Sequence, residues 1–272
     1  MRNIALGRYL PLESFIHKLD PRIKILSMIF FMVSVFLVGG DQPFLAYGVL
    51  FVVLLVSILS AKLTIGYVLK AMKPMIFMMV FLTIINVFAY RTGTVLLSIG
   101  SFKLYSDAII NTLFIVFRLM MMIMITTLLT ATTAPLDLTL GIEDLLSPFK
   151  KIGVPSHEIA MMISIALRFI PTLIEDTERI MNAQASRGVD FDEGKLKEKI
   201  VGIVSLIIPL FVSAYHRAED LADAMEARGY YPGKKRTRYK QLKIKLNDIL
   251  VLGFSIAMCF IVFYVGRVFV IS

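Results

Sequence analysis

The sequence predicts an all-α, polytopic membrane protein with about five transmembrane helices and two long cytoplasmic helices. Three observations lead to this prediction. Hydrophobic residues make up 57% of the 272 residues, and the mean hydropathy is +0.78. Several apolar runs approach the ~20 residues that a helix needs to cross the hydrocarbon core of a bilayer. Segment 132–246, between the fourth and fifth of these runs, is polar-rich and carries 17 of the 29 Lys and Arg residues.

Five apolar runs are the candidate transmembrane spans. Turn-forming or charged segments separate them, such as Gly-Gly-Asp-Gln-Pro at 39–43. Some runs are shorter than ~20 residues, so the flanking Arg22, Lys24 and Lys73 are expected to reach toward the lipid headgroups. The predicted spans are 23–38, 44–59, 74–89, 109–131 and 249–271.

The distribution of cations orients these spans, because Lys and Arg collect in the loops that stay on the cytoplasmic side. They are frequent at the N-terminus and between the second and third spans, whereas the intervening loops carry only Arg91 and Lys103. The N-terminus of this multi-pass chain is therefore predicted to lie on the cytoplasmic side of the cell membrane. The same rule accounts for the net charge of +9, so the bilayer is an expected partner and nucleic acid is not.

This topology divides the chain into three parts. Residues 1–131 form an N-terminal membrane region with four transmembrane helices, 132–246 form a cytoplasmic region, and 247–272 form a C-terminal transmembrane helix. Pro135 and Gly141 are predicted to interrupt helical structure early in the middle region.

Two long helices are predicted within 132–246. The first spans 157–187 and is followed by Gly188; the second spans about 193–228 and is followed by Gly229. Ser156 is the predicted N-cap of the first helix, with Glu158 in its first turn, where the helix dipole favours an anion. Each helix contains one proline, which is expected to kink it because a backbone donor is lost. These prolines are Pro171 and Pro209.

The first half of each long helix is apolar, which raises the alternative that these halves are two further transmembrane spans. That topology would leave several cations on the outer side, among them Arg179, Arg187 and Lys197, against the charge rule. We therefore interpret both as oblique helices that lie at the cytoplasmic interface.

The polar second halves of the two helices repeat at an offset of 41 residues. In each, an Arg in the last turn followed by a Gly leaves a guanidinium free to reach a carboxylate. Lys and Arg favour the last turn of any helix through its dipole, so a single Arg-Gly pair carries little information. Two such ends in one segment fit a partner with two similar grooves, such as a pair of ATPase subunits. Aligned residues are Glu178 with Glu219, Ala183 with Ala224, Arg187 with Arg228, and Gly188 with Gly229.

Each long helix also carries a narrow stripe of mostly small or apolar residues at helical spacing. Such a stripe lets two helices cross closely or fit a protein groove. The stripes are Ile174, Thr177, Met181 and Ala185 on the first helix, and Ala218, Leu221, Ala222 and Met225 on the second.

Several other features limit the class of function. Arg118 lies inside the fourth span, where a structural contact is favoured over a role in substrate passage. No metal site is expected, because the three histidines are far apart in sequence and Cys259 is the single cysteine. The sequence has no phosphate-binding P-loop and no protease motif, so the chain is not expected to be an enzyme. A self-sufficient secondary transporter is the alternative function, although it would need acidic residues at the bilayer midplane.

Long stretches of the chain resemble the T component of energy-coupling factor (ECF) transporters, the EcfT or CbiQ-like family. The resemblance covers nearly the whole length. It rests on FIHKLDPRIKIL near the start, on LDLTLGIEDLLSPFKKIGVPSHEIAMMISIALRFIPTL and ERIMNAQASRG in the middle, and on PLFVSAYHRAEDLADAMEARGY followed by RTRY.

This resemblance implies the transmembrane coupling subunit of an ABC importer that takes up a vitamin or micronutrient. The implied partners are two ABC-type ATPase subunits, EcfA and EcfA', and a membrane-embedded S component that binds the substrate. The ATPases would bind ATP and Mg, and this chain would hold no cofactor.

The resemblance also assigns roles to residues. The two long helices would be coupling helices, and their ends would dock on the ATPases through Ser186, Arg187 and Gly188, and through Ala227, Arg228 and Gly229. The first end has Ser where the family commonly has Ala. The S component would contact Met161, Met162 and Met181, for which ordinary lipid contact or packing is the alternative.

Overall fold

The computed structural model describes residues 9–38, 43–89, 94–99, 102–153, 155–191, 196–231 and 241–268. These residues fall into two compact units. The first, which we call the bundle unit, contains the described residues of Gly7–Gly141 and Leu242–Ser272. The second, the paired-helix unit, contains those of Ile142–Gln241. The predicted three-part division rests on membrane location, which these two units do not test, and it stays a prediction.

Helices form most of the described chain, and the predicted all-α fold is confirmed. The first four predicted spans lie in helical stretches whose bounds are within about three residues of those predicted. The fifth lies in α9 as far as residue 268, and its last three residues, 269–271, lie outside the described part of the chain. Two short 3-10 turns, Lys73–Met75 and Ser147–Ile152, add to these helices. The helices are α1 (Pro21–Leu37), α2 (Pro43–Ser60), α3 (Ile65–Met72), α4 (Ile76–Ala89), α5 (Ser106–Thr132), α6 (Pro135–Leu146), α7 (Ser156–Ser186), α8 (Leu196–Ala227) and α9 (Leu246–Val268).

Five helical stretches among the described residues are long and apolar enough to cross a membrane, which makes the chain a multi-pass membrane protein. They are not the same five as the predicted spans. Helices α7 and α8 qualify by length and composition, whereas α1 is not among the five and α2 is a shorter apolar helix. The placement of α7 and α8 at the interface therefore stays a prediction. The qualifying stretches are Ile65–Asn86, Ser106–Thr132, Ser156–Ser186, Leu196–Ala227 and Leu246–Tyr264.

A short β-hairpin between α4 and α5 was not predicted. Strands β1 (Val95–Ile99) and β2 (Phe102–Tyr105) pair antiparallel, with Leu97 opposite Leu104. The signal in the sequence is Gly100-Ser101 between two short apolar runs, a pattern typical of two-residue hairpin turns.

Two local predictions about helix ends were wrong. Gly141 does not interrupt a helix but lies inside α6, where a Cβ would come within 3.2 Å of the Pro21 Cβ. The glycine therefore permits close packing of α6 on α1. Ser156 is not an N-cap but the first residue of α7, which follows Pro155 and has no side-chain cap. Glu158 does lie in the first turn, as predicted.

The core of the bundle unit lies among α1, α2, α5 and α9. Their most deeply buried apolar side chains include Val35, Leu50, Met121 and Val262. Shape-matched apolar contacts of this kind hold helices together where water is absent.

Arg118 joins two helices of this bundle. Its Nε donates to the Tyr47 hydroxyl at 3.1 Å, and its guanidinium carbon lies 5.7 Å from the centre of the Phe36 ring. A partnered charge inside a helix bundle is a stabilising contact. The predicted structural contact is therefore confirmed.

Buried polar groups fix the start of α9 against the start of α1. The Asp248 carboxylate is 1% exposed and accepts hydrogen bonds from the backbone N–H groups of Asp20, at 2.9 Å, and Lys245, at 2.7 Å. One side chain thus satisfies backbone donors at the beginnings of two helices, donors that the helices themselves leave unpaired.

The ammonium group of Lys24 fixes the end of α5 at the same place. It donates to the carbonyl oxygens of His17 and Thr132, at 3.1 and 3.0 Å, and to the Thr133 hydroxyl at 3.3 Å. Burial lowers the pKa of His17, which favours its neutral form. The polar groups near the ends of α1, α5 and α9 are thus engaged in structural contacts.

Candidate docking site at the ends of two long helices

Helix α7 ends in a complete Schellman motif, the hydrogen-bonded turn that reverses the chain after a helix. Arg187 follows its last residue, and Gly188 has a φ of +86°. The two hydrogen bonds of the motif run from the Val189 N–H to the Gln184 carbonyl, at 3.1 Å, and from the Gly188 N–H to the Ala185 carbonyl, at 2.9 Å.

Helix α8 ends in the same motif, residue for residue at the offset of 41. Arg228 follows its last residue, and Gly229 has a φ of +70°. The corresponding hydrogen bonds run from the Tyr230 N–H to the Met225 carbonyl, at 2.9 Å, and from the Gly229 N–H to the Glu226 carbonyl, at 2.8 Å. Both predicted glycine stops are confirmed.

These turns present the two arginines to solvent. Arg187 and Arg228 are both exposed. Each glycine takes a left-handed conformation that other residues adopt only at a cost, and no atom lies within 4 Å of the place of its missing Cβ. The glycines are therefore required by backbone geometry rather than by space, and each leaves the preceding guanidinium at an open end of the helix.

Ser186 lies where the resemblance predicts an alanine, and its hydroxyl forms a hydrogen bond within the helix. Its hydroxyl donates to the carbonyl oxygen of Asn182, one turn back, at 3.0 Å. Since the polar hydrogen is used within the helix, the side chain adds little polarity to the exposed end. Ala227 occupies the matching position at the end of α8 and is exposed as well.

Helices α7 and α8 pack against each other in antiparallel order. A Cβ at Gly202 would lie 3.3 Å from Val189 Cγ1, and the Gln184 side chain donates to the Ser205 carbonyl at 3.4 Å. The end of α7 thus lies beside the start of α8, and Arg228 lies 23 residues beyond Ser205. At ~1.5 Å per residue, the two arginines are about 35 Å apart, at opposite ends of the pair.

An ion pair joins the two helices between these ends. The Arg217 guanidinium donates to Asp176 Oδ2 at 2.6 Å, and its central carbon lies 5.9 Å from the centre of the Phe169 ring. We call this contact the Asp176–Arg217 pair. This pair was not predicted. The sequence does contain a signal for it, because the offset of 41 aligns these two residues and opposite charges at equivalent positions indicate a contact between the two helices.

An apolar groove of about 260 Å³ lies between the two helices. All four residues of the α8 stripe line it, opposite Ile165, Phe169 and Leu173 of α7. The stripe on α8 thus faces the other helix, as one reading of the sequence predicted. None of the α7 stripe residues lines this groove.

The three methionines assigned to S-component contact do not form one patch. Met161 is half-buried and Met162 is 59% exposed near the start of α7, whereas Met181 is 37% exposed near its end. About 19 residues of helix, or roughly 28 Å, separate the two positions. Their assignment stays a prediction.

Among the residues that the structure describes, no cluster of three or more His, Cys, Asp or Glu side chains could hold a metal ion. His157 instead contacts the buried Glu143 of α6, with 2.9 Å between Nδ1 and Oε1. This contact fixes the start of α7 within the paired-helix unit.

The fold and the two helix ends define a class of protein: a polytopic helical membrane protein with two long helices that end in matching, exposed Arg-Gly turns. The sequence model of the CbiQ family, described as cobalt transport protein, matches residues 13–239. The energy-coupling factor transporter transmembrane protein EcfT of Bacillus subtilis is 42% identical over 97% of this chain and 98% of its own length. The protein of the same name from Lactococcus lactis is 45% identical over 95% of this chain and 96% of its own length. The one from Clostridium kluyveri is 44% identical over 92% of this chain and 92% of its own length. The chain therefore belongs to the EcfT/CbiQ family of transmembrane transport proteins, and the predicted resemblance is confirmed.

Proposed function

We propose that the chain is the transmembrane coupling subunit of an ECF-type ABC importer. It links ATP hydrolysis by two partner ATPases to the uptake of a vitamin or micronutrient through a separate S component. The observation that carries this proposal is the repeated Arg-Gly end, built with the same hydrogen bonds on two long helices of a membrane protein.

The two ends suit two similar acidic grooves. An exposed guanidinium makes paired hydrogen bonds to a carboxylate, and it gains most where the contact excludes water. Because the arginines lie about 35 Å apart along the helix pair, each end reaches a different subunit. We assign these subunits to EcfA and EcfA', which hold the ATP and Mg.

The proposed orientation puts both docking ends in the cytoplasm, where ATP is available. The N-terminus lies on the same side, in agreement with the cation-rich loops of the bundle unit. The S component and lipid would share the exposed apolar surface, for which Met161, Met162 and Met181 of α7 are the proposed protein contacts.

A self-sufficient secondary transporter is not favoured. Such a carrier uses acidic residues near the midplane that bind and release ions. Two buried aspartates of the bundle unit, Asp20 and Asp248, are instead engaged by backbone N–H groups at helix starts. The relatives are named as transmembrane proteins of energy-coupling factor transporters, which agrees with the coupling role.

Arg228→Glu tests the proposal. We expect the ATPases to be lost when the tagged subunit is purified, and uptake to be abolished, because reversing a docked charge costs about 2–5 kcal/mol. Arg179→Glu is the matched control: it makes the same charge change at an exposed arginine of α7 away from the end. Normal uptake by Arg228→Glu at normal expression would refute the role of this residue.

A further inference from the structure

The Asp176–Arg217 pair lies at the midpoint between the two docking ends. Arg187 follows Asp176 by eleven residues, and Arg228 follows Arg217 by eleven residues. Each guanidinium end therefore projects about 16 Å beyond the pair along its own helix. The contact between these two equivalent residues therefore lies midway between the two Arg-Gly ends.

The pair is built to hold a fixed geometry. The Asp176 and Arg217 side chains are only 13% and 29% exposed, and their hydrogen bond is short. The Phe169 ring contacts the guanidinium as well, so one helix supplies both a carboxylate and an aromatic face to the arginine of the other. Partial burial reduces screening by water, and two partners restrict the arginine more than one would.

Two other contacts between α7 and α8 are less suited to hold the helices in one relative position. Ala214, Ala218 and Ala222 of α8 line the groove with small side chains that permit sliding, and the groove is open. The hydrogen bond from Gln184 to the Ser205 carbonyl is longer, at 3.4 Å, and uncharged. Of these contacts between α7 and α8, the charged pair is the most directional.

We propose that Asp176 and Arg217 are positioning residues for energy coupling: their ion pair is the pivot that keeps the two docking ends in a fixed relation to each other, so that movement of the ATPases at one end reaches the other. This inference rests on the proposed function. When the ATPases move one docking end, the ion pair keeps α7 and α8 from sliding past each other. The displacement is then transmitted to the other docking end.

Charge exchange in the intact transport complex tests the pivot. Asp176→Arg and Arg217→Asp each place like charges at the crossing, and the double variant restores the pair in reverse order. We expect each single variant to retain the ATPases, since Arg187 and Arg228 are unchanged, but to lose uptake by about tenfold, with the double variant recovering most of it. Arg217→Lys, which keeps the charge and loses the planar fork, should fall between wild type and Arg217→Asp.

A distance measurement separates a pivot from a merely stabilising contact. Spin labels at cysteines replacing Asn182 and Asp223, both exposed near the two ends, report their separation in a Cys259→Ser background. We expect a broadened distance distribution in the single variants and a narrow one in the exchanged variant. Glu175→Arg controls for charge reversal at an exposed neighbour of Asp176 and should leave distance and uptake unchanged.

Two results would overturn the inference: single variants with unchanged distances and uptake, or an exchanged variant as defective as the single ones. Failure of the proposed function would look different. In that case Arg228→Glu would keep the ATPases bound and uptake normal, irrespective of the crossing variants.

Discussion

The residue that follows each of the two proposed docking arginines determines where the backbone goes next. Arg187 and Arg228 lie just beyond the last helical residue, and the left-handed turn at the next glycine takes the backbone away from the helix axis. If the helix continued past the arginine, the residues of the next turn would lie beside the guanidinium and restrict its access to a partner. The guanidinium is therefore available to a partner at the helix end only where the chain turns away after the arginine.

Gly229→Ala should weaken docking without removing any docking side chain. An alanine at a φ of +70° costs about 1–2 kcal/mol, so the apparent affinity for the purified ATPase pair should fall by about fivefold to thirtyfold. Binding of the subunit in nanodiscs to immobilised ATPases measures this. Gly229→Asn should be milder, because Asn tolerates the left-handed region.

Gly48→Ala is the matched control for this prediction. Gly48 lies within α2, has no positive φ and has no atom within 4 Å of the place of its missing Cβ. Alanine is a better helix former, so affinity should not change. Equal affinities for Gly229→Ala and Gly48→Ala would contradict the requirement for a left-handed turn.

The role of a glycine was predicted correctly where it depends on the local backbone, and wrongly where it depends on a contact with another helix. Gly188 and Gly229 were identified as stops because a glycine after a polar last turn terminates a helix through its own backbone. Gly141 also follows a helical segment but lies inside α6. A glycine is needed there because Pro21 of another helix approaches closely. No pattern within α6 reveals that neighbour.

At the scale of elements, α9 depends on a polar contact that its apolar sequence does not reveal. Asp248 satisfies backbone donors at its own helix start and at that of α1, although the two lie over two hundred residues apart in sequence. A sequence pattern shows a span of suitable length, but a hydrogen bond between remote segments becomes visible only in the folded bundle.

Asp248→Ala should therefore destabilise the bundle unit more than a surface change would. Loss of two charge-assisted hydrogen bonds leaves the buried Asp20 N–H and the part-buried Lys245 N–H without this acceptor, which costs about 2–4 kcal/mol and should lower the thermal unfolding midpoint in detergent. Asp248→Asn retains one acceptor oxygen and should lose less. Asn247→Ala, at the exposed neighbouring position, is the control. A midpoint for Asp248→Ala equal to that of the control would show that the contact does not stabilise the bundle.

At the scale of the whole molecule, the family and its function were predictable from motifs, whereas the path of α7 and α8 is not determined by hydropathy. Both helices are apolar enough to cross a membrane, yet each also carries a polar second half. Hydropathy thus allows both helices to cross the membrane, whereas the charge rule predicts a cytoplasmic link between them. The cations near that link are Arg179, Lys197 and Lys199.

Labelling of single cysteines in intact cells decides between these paths. In a Cys259→Ser background, we expect a membrane-impermeant maleimide to label Thr94→Cys, which lies between the third and fourth predicted spans, from outside. Asn182→Cys and Asp223→Cys should react only after the membrane is permeabilised, because the proposed orientation puts both ends in the cytoplasm. If α7 and α8 instead cross the bilayer and return, Asn182→Cys will react from outside while Asp223→Cys stays protected. That pattern would separate the two docking arginines by the membrane and exclude simultaneous contact with one ATPase pair, so it tests the topology and the coupling role together.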